Sequence, residues 1–360
     1  MLHAMIMAGG GGTRFWPRSR QARPKQFLSV GGARTLLQQA LDRIEASGVA
    51  AERSWVITGE AYCRETANQL PGLPAEHIVG EPMGRDTAPC IGLAAALIAR
   101  DDPDAVMLVT PADHVIEPVQ EFRRAVHVAD QMAREHPQTI ITFGITPTYP
   151  AVGYGYIHRG EPVAQRQGVS VFRVGRFAEK PKSDMAERFF SSGEYFWNSG
   201  IFVWKAATLL AALKQHKPAL HDGVQRIAEA WKTGRKQEVL EKEYPHLEKI
   251  SIDYAVMEHA RDVMVVQAPY QWDDVGSWLA LERMNPQDAA GNTVLANHCG
   301  LQTKNCVIVG ERERLIATIG VADLIIIQDG DCTLVAHRSQ EAAVKDMVGE
   351  LKKKNPGRYL

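Results

Sequence analysis

The sequence lacks any cysteine pattern that would indicate a disulfide framework or a zinc site. Five cysteines occur among 360 residues, an odd number, and no two of them form a C-x-x-C pair. They are spread along the chain at Cys63, Cys90, Cys299, Cys306 and Cys332. Because thiols stay reduced inside cells, this usage predicts a cytoplasmic protein without structural disulfides.

The sequence also lacks a strong net charge and any long apolar run. Its 41 basic and 42 acidic residues leave a formal charge of −1, so no overall field attracts nucleic acid or an anionic membrane. The apolar start at 4–8 is too short for a signal peptide. The run at 91–99 is far shorter than the roughly 18 residues that span a bilayer. We therefore expect no nucleic-acid partner and no membrane association.

Two common phosphate-binding motifs are absent where the first apolar run ends. The dinucleotide motif G-x-G-x-x-G fails because Arg14 or Phe15 occupies the position of its third glycine. A P-loop requires G-x-x-x-x-G-K-S/T, and no Gly-Lys-Ser/Thr follows this run. The spacing therefore excludes a dehydrogenase and a P-loop protein.

Where the first apolar run ends, the chain has four consecutive glycines followed by a cluster of basic side chains. Without a Cβ, glycine lets backbone N–H groups approach an anion closely. Nearby guanidinium and ammonium groups add charge and directed hydrogen bonds. We predict that this loop binds a polyphosphate or a sugar phosphate. The residues assigned to it are Gly9, Gly10, Gly11, Gly12, Thr13, Arg14 and Lys25.

Strand-like apolar runs alternate with longer helical patterns through the first half of the chain. This alternation predicts an α/β fold with a mostly parallel sheet and helices on both faces. In such sheets ligands bind beyond the carboxyl ends of the strands, where the glycine loop and Asp113 both fall. We therefore expect both to face one cleft. The predicted strands are 4–8, 54–58, 77–80, 105–110 and 139–144, and the predicted helices are 34–47, 60–69, 87–100 and 118–136.

The pattern changes twice in the second half of the chain. Short strands rich in glycine and aromatic residues at 150–205 predict an inserted antiparallel layer that closes over the substrate, and a mainly helical stretch follows at 206–261. Beyond Pro286, short β runs lead to a final amphipathic helix at 339–353. We predict a catalytic domain at 1–285 and a small β-rich domain at 286–360.

The glycine-loop motif resembles a known family. GGGGTRFWPRSR at 9–20, followed by PKQFL at 24–28, is similar to the signature of the sugar-1-phosphate nucleotidyltransferases, and to the mannose-1-phosphate guanylyltransferases in particular. The similarity covers about residues 1–285, with a weaker tail beyond. It implies a Rossmann-like nucleotidyltransferase fold and, for the C-terminal region, a short left-handed β-helix. That β-rich region is also a candidate surface for a homodimer.

Two aspartates are candidate metal ligands. Asp113 follows the strand AVMLVT, where a carboxylate could hold a divalent cation or simply form a turn. The later segment WDDVG resembles the family's W-x-D-x-G, which selects Asp274 rather than Asp273 as the second ligand. The resemblance implies that Asp113 and Asp274 together hold Mg²⁺. We expect the neighbouring His114 to be structural.

The resemblance also assigns substrate contacts. Four residues are implied in binding the sugar phosphate, beside Lys25: Gly153, Glu179, Lys180 and Asn198. The segment EPMGRDTAP is implied in lining the nucleotide pocket through Glu81, Arg85 and Thr87, although Asp86 stands where many relatives have asparagine. The catalytic set is then Arg14, Lys25, Asp113, Lys180 and Asp274.

The function implied is transfer of GMP from GTP to α-D-mannose 1-phosphate, which gives GDP-mannose and pyrophosphate. Two alternatives stay open: a related transferase that uses glucose 1-phosphate with another NTP, and a non-catalytic paralogue that senses a sugar nucleotide. Some relatives are fused to a phosphomannose isomerase domain. Because this chain ends soon after 286, we expect it to lack isomerase activity.

Overall fold

The computed structural model describes residues 1–30, 32–355 and 357–360, and the chain divides into two compact units. The first, the sheet unit, consists of Met1–Gly9, Gln38–Ala112 and Ile116–Trp272. The second, the loop unit, consists of Gly10–Leu37, Asp113–Val115 and Asp273–Leu360. Residues distant in sequence therefore share a unit.

The strands of both units are numbered in chain order. They are β1 Leu2–Ala8, β2 Ser54–Gly59, β3 Ile78–Glu81, β4 Val106–Pro111, β5 Val115–Glu117, β6 Ile140–Ile145, β7 Tyr156–Arg166, β8 Val169–Ala178, β9 Tyr195–Lys205, β10 Val263–Gln267, β11 Gln271–Asp273, β12 Thr293–Leu295, β13 Asn297–Leu301, β14 Val307–Val309, β15 Leu315–Ile319, β16 Leu324–Asp329 and β17 Cys332–His337.

The α-helices are numbered in the same way. They are α1 Leu36–Ala46, α2 Cys63–Gln69, α3 Thr87–Asp101, α4 Val119–Glu135, α5 Ser183–Ser192, α6 Ala206–His216, α7 Pro218–Ala230, α8 Lys236–Glu243, α9 Ala280–Met284 and α10 Val344–Lys354. Among the described residues, no helix has both the length and the apolar character required to cross a bilayer.

The sheet unit is built around one large sheet with the strand order β3-β2-β1-β4-β9-β6-β10-β8-β7. Strands β3, β2, β1 and β4 pair in parallel, and β6 pairs in parallel with β10. Apolar runs such as the one in β1, which is almost entirely buried, are typical of parallel strands covered on both faces. The predicted mostly parallel α/β fold is therefore confirmed.

The antiparallel strands expected at 150–205 are present, and they continue the main sheet. Strand β9 lies between β4 and β6 and is antiparallel to both. Its sequence, YFWNSGIFVWK, is buried at most positions, as a central strand requires. Strand β7 pairs with both β8 and β9. Asn198, the substrate-binding residue predicted in this segment, therefore lies on a central strand of the sheet.

The C-terminal part of the loop unit has the strand pattern of a β-helix. Strands β12, β14 and β16 pair in parallel in one sheet, which β17 extends in the antiparallel direction. Strands β13 and β15 pair in parallel in a second sheet. Because β12 to β16 alternate between the two sheets, this part of the chain coils, and the antiparallel pair β16–β17 ends it. The predicted β-rich domain with a final helix is confirmed, although the helix begins at Val344 and a 3₁₀ turn precedes it.

The core of the loop unit joins the FWP segment of the glycine-loop motif to the C-terminal residues. The rings of Phe15 and Trp278 lie 4.8 Å apart. The Nε1 of Trp278 donates to the main-chain oxygen of Trp16 at 3.0 Å, and the Nε1 of Trp16 donates to that of Tyr359 at 2.7 Å. Large apolar side chains from distant parts of the chain thus hold the glycine loop in place.

Replacement of Trp278 tests whether this core stabilises the unit. We expect Trp278→Ala to lower the free energy of unfolding by about 3–5 kcal/mol, because a fully buried aromatic side chain leaves a cavity. The matched control is Val335→Ala, which removes an apolar side chain that is 60% exposed in the same unit. Its effect should stay within about 0.5 kcal/mol. Urea denaturation measures both, and similar losses in the two variants would contradict this account of the core.

Candidate active site

The glycine loop is shaped by two positions whose backbone conformation favours glycine. Gly10 has φ 97° and Gly12 has φ 53°, a region that residues with a Cβ rarely adopt. A Cβ on Gly12 would also lie 2.4 Å from the Cβ of Lys25. The loop therefore needs glycine at 12 because the chain passes so close to Lys25.

The amide groups of this loop are available to a ligand. The N–H groups of Gly10, Gly11, Gly12, Thr13 and Arg14 donate no hydrogen bond to any residue that the structure describes. Gly10, Gly11 and Arg14 are exposed, and the Arg14 guanidinium has no ion pair within the same set of residues. Unpaired amides beside a free guanidinium form an anion-binding concavity.

Lys25 brings the two predicted metal ligands to one point in the loop unit. Its Nζ donates to Asp113 Oδ2 at 2.7 Å and to the main-chain oxygen of Asp274 at 2.6 Å. The side chain is buried, and its ammonium lies 5.7 Å from the centre of the Phe15 ring. A buried ammonium needs such partners because burial without them penalises its charge. The predicted proximity of the glycine loop, Lys25 and Asp113 is therefore present in the structure.

Asp113 is held in its ionised form. Burial favours the neutral acid, but the charges of Lys25 and His114 and the hydrogen bond from Lys25 outweigh it, so the pKa of Asp113 lies below its ordinary value. His114 is itself buried beside it. Asp113 therefore carries its negative charge at neutral pH, and Lys25 Nζ lies next to it.

The two adjacent aspartates at the end of β11 have different surroundings. Asp273 is buried; its Oδ1 accepts from the Val275 N–H at 2.7 Å, and its Oδ2 accepts from Arg283 Nε at 2.5 Å. Asp274 is half-buried, and its Oδ1 accepts from the Gly276 N–H at 3.0 Å. Both carboxylate oxygens of Asp273 are thus engaged in hydrogen bonds within the protein, which supports the choice of Asp274 as the functional acid.

The chemistry of Asp113 and Asp274 fits a divalent cation. Both offer carboxylate oxygens, which hard cations prefer. Lys25 contacts both residues, Asp113 at its carboxylate and Asp274 at its main-chain oxygen. Within the described ranges, no three His, Cys, Asp or Glu residues form a group that could hold a metal ion. Mg²⁺ is commonly bound by one or two carboxylates together with substrate phosphates and water, so a pair of acids satisfies this requirement.

A cavity that is open to solvent lies in the sheet unit beside two of the residues predicted to bind the sugar phosphate. Glu179 and Asn198 both line it, and Lys180 Nζ lies 2.9 Å from Glu179 Oε1. This hydrogen bond raises the pKa of Lys180, which is exposed and stays charged. Lys180 also has φ 41°, a strained conformation for a residue with a Cβ.

Gly155 lines this cavity, whereas the prediction from sequence names Gly153. A Cβ on Gly155 would lie 2.6 Å from Glu179 Oε2, and its main-chain oxygen accepts from the Asn198 N–H at 2.8 Å. A Cβ on Gly153 would meet nothing within 4 Å. The assignment of Gly153 stays a prediction. Sequence reasoning could have found Gly155, because G-Y-G-Y contains two glycines and only the second precedes β7 directly.

The cavity also contains an acid that the sequence analysis missed. Asp253 lines it together with Glu179 and Asn198, and Asn198 Nδ2 donates to Asp253 Oδ1 at 2.9 Å. Asp253 occurs in SIDYAVME, within a stretch predicted only as helical. Its one signal was an acidic residue at the start of an otherwise apolar helical pattern.

Of the residues predicted to line a nucleotide pocket, Glu81 has the most unusual surroundings. Its carboxylate is buried at the end of β3 and accepts a hydrogen bond from the Tyr244 hydroxyl. Burial raises the pKa of Glu81 to about 7, although the bond from Tyr244 acts in the opposite direction. A Cβ on Gly9 would lie 3.5 Å from Glu81 Oε2, so this oxygen faces the backbone at the end of β1.

Arg85 and Thr87 lie near Glu81 in sequence but bond to other parts of the protein. Arg85 Nη2 donates to the main-chain oxygen of Pro245, and Thr87 Oγ1 accepts from the Ile252 N–H at 2.8 Å. Asp86 is the N-cap of α3, with its Oδ1 accepting from the Thr87 N–H at 2.8 Å. These bonds give Arg85 and Thr87 a structural task, and their contact with a nucleotide stays a prediction.

Comparison with known families covers nearly the whole chain. The sequence model of the family described as nucleotidyl transferase matches residues 3–291. The model described as mannose-phosphate isomerase/GMP-like β-helix domain matches residues 296–351. The second match agrees with the coiled strand pattern from β12 to β17.

Individual relatives give the same assignment. The chain is 39% identical over 356 residues to a mannose-1-phosphate guanylyltransferase of Escherichia coli K12, which covers 98% of this chain and 73% of that protein. A crystal structure from Thermus thermophilus, described as a mannose-1-phosphate geranyltransferase, has a TM-score of 0.85 with 35% identity and covers 98% of this chain and 99% of its own. One from Helicobacter pylori, described as a mannose-6-phosphate isomerase, has a TM-score of 0.59 with 27% identity and covers 75% of this chain and 99% of its own. The chain belongs to the nucleotidyl transferase family, and within it to the mannose-1-phosphate guanylyltransferases.

Proposed function

We propose that the protein transfers GMP from GTP to α-D-mannose 1-phosphate and releases GDP-mannose and pyrophosphate. The observation that carries the proposal is the meeting of Lys25, Asp113 and Asp274 beside a glycine loop whose amides are available. The cavity lined by Glu179 and Asn198 supports a hydroxylated second substrate. Several relatives with 37–39% identity carry the name mannose-1-phosphate guanylyltransferase.

The reaction exchanges one phosphoanhydride bond for another. A phosphate oxygen of mannose 1-phosphate attacks the α-phosphorus of GTP, and the bond from that phosphorus to the β-phosphate oxygen breaks as pyrophosphate leaves in line. The nucleophile is already an anion at neutral pH, so no general base is required. The main barrier is the repulsion between two polyanions, and positioning with charge neutralisation lowers it.

Each basic residue has a defined task in this proposal. The loop amides and Arg14 hold the triphosphate, because both are available and Arg14 is exposed. Lys25 and Lys180 neutralise the reacting phosphates. Asp113 and Asp274 would hold a divalent cation, Mg²⁺, which as a Lewis acid supplies further neutralisation of phosphate charge when bound. Lys25 meanwhile keeps both aspartates in position.

Glu81 provides a physical reason for a preference for guanine. An ionised carboxylate only accepts hydrogen bonds. Guanine presents two neighbouring donors, at N1 and N2, whereas adenine presents an acceptor at N1, and uracil and thymine flank their single donor with carbonyl oxygens. With one oxygen of Glu81 bound by Tyr244 and the other facing Gly9, the carboxylate is fixed in orientation. We infer that Glu81 selects GTP in this way.

Further parts of the proposal rest on the sequence. We place the domain boundary at 285/286, and the ends of the two family matches, 291 and 296, lie close to it. We also propose that the protein acts in the cytoplasm and requires neither nucleic acid nor a membrane. A homodimer formed through 286–360 stays a prediction.

Substrate choice is tested by assaying the protein with each of the four NTPs, mannose 1-phosphate or glucose 1-phosphate, and Mg²⁺. We expect release of pyrophosphate with GTP and mannose 1-phosphate to exceed every other combination by tenfold or more. Chromatography should show GDP-mannose as the product. Binding without turnover would favour the sugar-nucleotide sensor, and equal rates with all four NTPs would contradict the assignment to GTP.

The two adjacent aspartates should respond differently to the same substitution. Asp274→Asn should keep the free energy of unfolding close to that of the wild type and lower turnover by a factor of about 10²–10³, as expected for loss of a group that stabilises charge in the transition state. Asp273→Asn should lower stability, because it weakens the ion pair with Arg283. Urea denaturation and steady-state assays separate these effects, and the opposite ranking would show that Asp273 is the functional acid.

The pKa of Glu81 predicts how GTP affinity depends on pH. If the ionised carboxylate accepts from guanine, affinity is full above the pKa of about 7 and falls as the pH decreases through it. Between pH 8 and pH 6 the loss should be about tenfold, since the ionised fraction falls by that factor. Glu81→Gln is the control, because it retains the titration of GTP itself. Calorimetric profiles that are parallel for the two proteins would rule out this role.

A further inference from the structure

Asp253 stands at an unusual place in the backbone of the sheet unit. It is the first residue of a π-helical turn, Asp253–Met257. Such turns are rare and are often found at functional sites, because they redirect a side chain that a regular helix would point elsewhere. Here the carboxylate of Asp253 lines the same cavity as Glu179, Asn198 and Gly155.

The bond between Asn198 and Asp253 fixes the Asn198 amide. Its Nδ2 donates to Asp253 Oδ1 at 2.9 Å, and its Oδ1 accepts from the Gly200 N–H at 3.2 Å. One Nδ2–H is left for a ligand. Asn198 therefore presents a single donor in a set direction, and Asp253 supplies acceptor capacity beside it. A hydroxyl group, which both donates and accepts, matches this pair.

The charges around the cavity favour a polyol rather than a phosphate. Glu179 and Asp253 both line it, and burial together with their mutual repulsion raises the pKa of Asp253 to about 6. Lys180 pairs with Glu179 but is exposed, with 64% of its side chain accessible. Two carboxylates accept hydrogen bonds from hydroxyl groups and repel phosphate oxygens, so the cavity suits the sugar ring.

We propose that Asp253 is a specificity-determining residue for the sugar substrate. It accepts a hydrogen bond from one hydroxyl of the sugar ring and, through its bond to Asn198, aims the remaining Asn198 N–H at that hydroxyl or its neighbour. This inference rests on the proposed function, since it assumes that a sugar 1-phosphate is the second substrate. It adds to that function a residue, Asp253, that recognises the hydroxyl groups of the sugar ring.

The first test replaces Asp253 and measures each substrate separately. Asp253→Asn should raise the KM for mannose 1-phosphate about tenfold, as expected for weakening a hydrogen bond to a charged group, with kcat less affected. The KM for GTP should change less than twofold, and the preference for mannose 1-phosphate over glucose 1-phosphate should narrow. Glu229→Gln, an exposed acid on α7, is the matched control and should leave all constants unchanged.

The second test uses mannose 1-phosphates that lack the hydroxyl at position 2, 3, 4 or 6. For wild type, kcat/KM should fall about tenfold or more for one analogue. In Asp253→Ala the same analogue should lose less than twofold relative to mannose 1-phosphate, because its partner is already gone. If Asp253→Ala does not fold, Asp253→Asn gives the same comparison with a smaller change.

The outcomes separate the inference from the proposed function. Identical penalties for every deoxy analogue in wild type and the Asp253 variants would overturn the role of Asp253, as would an equal rise in the KM for GTP. If the wild type does not turn over GTP with mannose 1-phosphate, the proposed function fails. Calorimetry with mannose 1-phosphate alone then tests the cavity: tight binding that Asp253→Asn weakens would support the hydroxyl-binding role, and unchanged binding would refute it.

Discussion

The ammonium of Lys25 is the interaction on which the rest of the loop unit depends. It contacts the side chain of Asp113 and the main chain of Asp274, which belong to segments more than 150 residues apart in the sequence. The glycine loop also passes so close to Lys25 that a Cβ on Gly12 would lie 2.4 Å from the Lys25 Cβ. The carboxylate of Asp113 is partly buried, and Lys25 supplies the opposite charge beside it. Without Lys25 this negative charge would lack that partner, and an uncompensated buried charge is strongly unfavourable.

Three residues in the motifs with predicted function have strained backbone, and four non-glycine residues elsewhere also have a positive φ: Gln167, Gln302, Asn305 and Asp323. Asp86, Lys180 and Val275 have φ of 66°, 41° and 45°, which cost on the order of 1–3 kcal/mol each for such residues. Each is held by a neighbour: Asp86 by the Thr87 N–H, Lys180 by Glu179, and Val275 by the carboxylate of Asp273. At these three residues φ is determined by the surrounding contacts and not by the backbone preference of the residue itself. Such departures are expected at functional sites.

The sequence predicted those features that depend on local pattern. The first strands and helices were correct to within about three residues because apolar periodicity is a property of each segment alone. The packing of Phe15 and Trp16 against Trp278 and the C-terminal residues was not predictable in this way, since it joins segments from both ends of the chain. Asp253 was missed for a similar reason: its importance arises from Asn198, 55 residues earlier, and no local pattern records that bond.

The two units differ in the ligand chemistry that they offer. The loop unit presents amides and a guanidinium, and its Asp113 carboxylate is compensated by Lys25, so it suits phosphate. The cavity of the sheet unit presents the carboxylates Glu179 and Asp253 with one directed amide, so it suits hydroxyl groups. Mannose and glucose differ in the direction of a single hydroxyl, and a pocket discriminates strongly only when its own buried polar groups are left unpaired by the wrong sugar. A fixed Asn198–Asp253 pair meets that condition, because neither group can turn to follow a hydroxyl that points elsewhere.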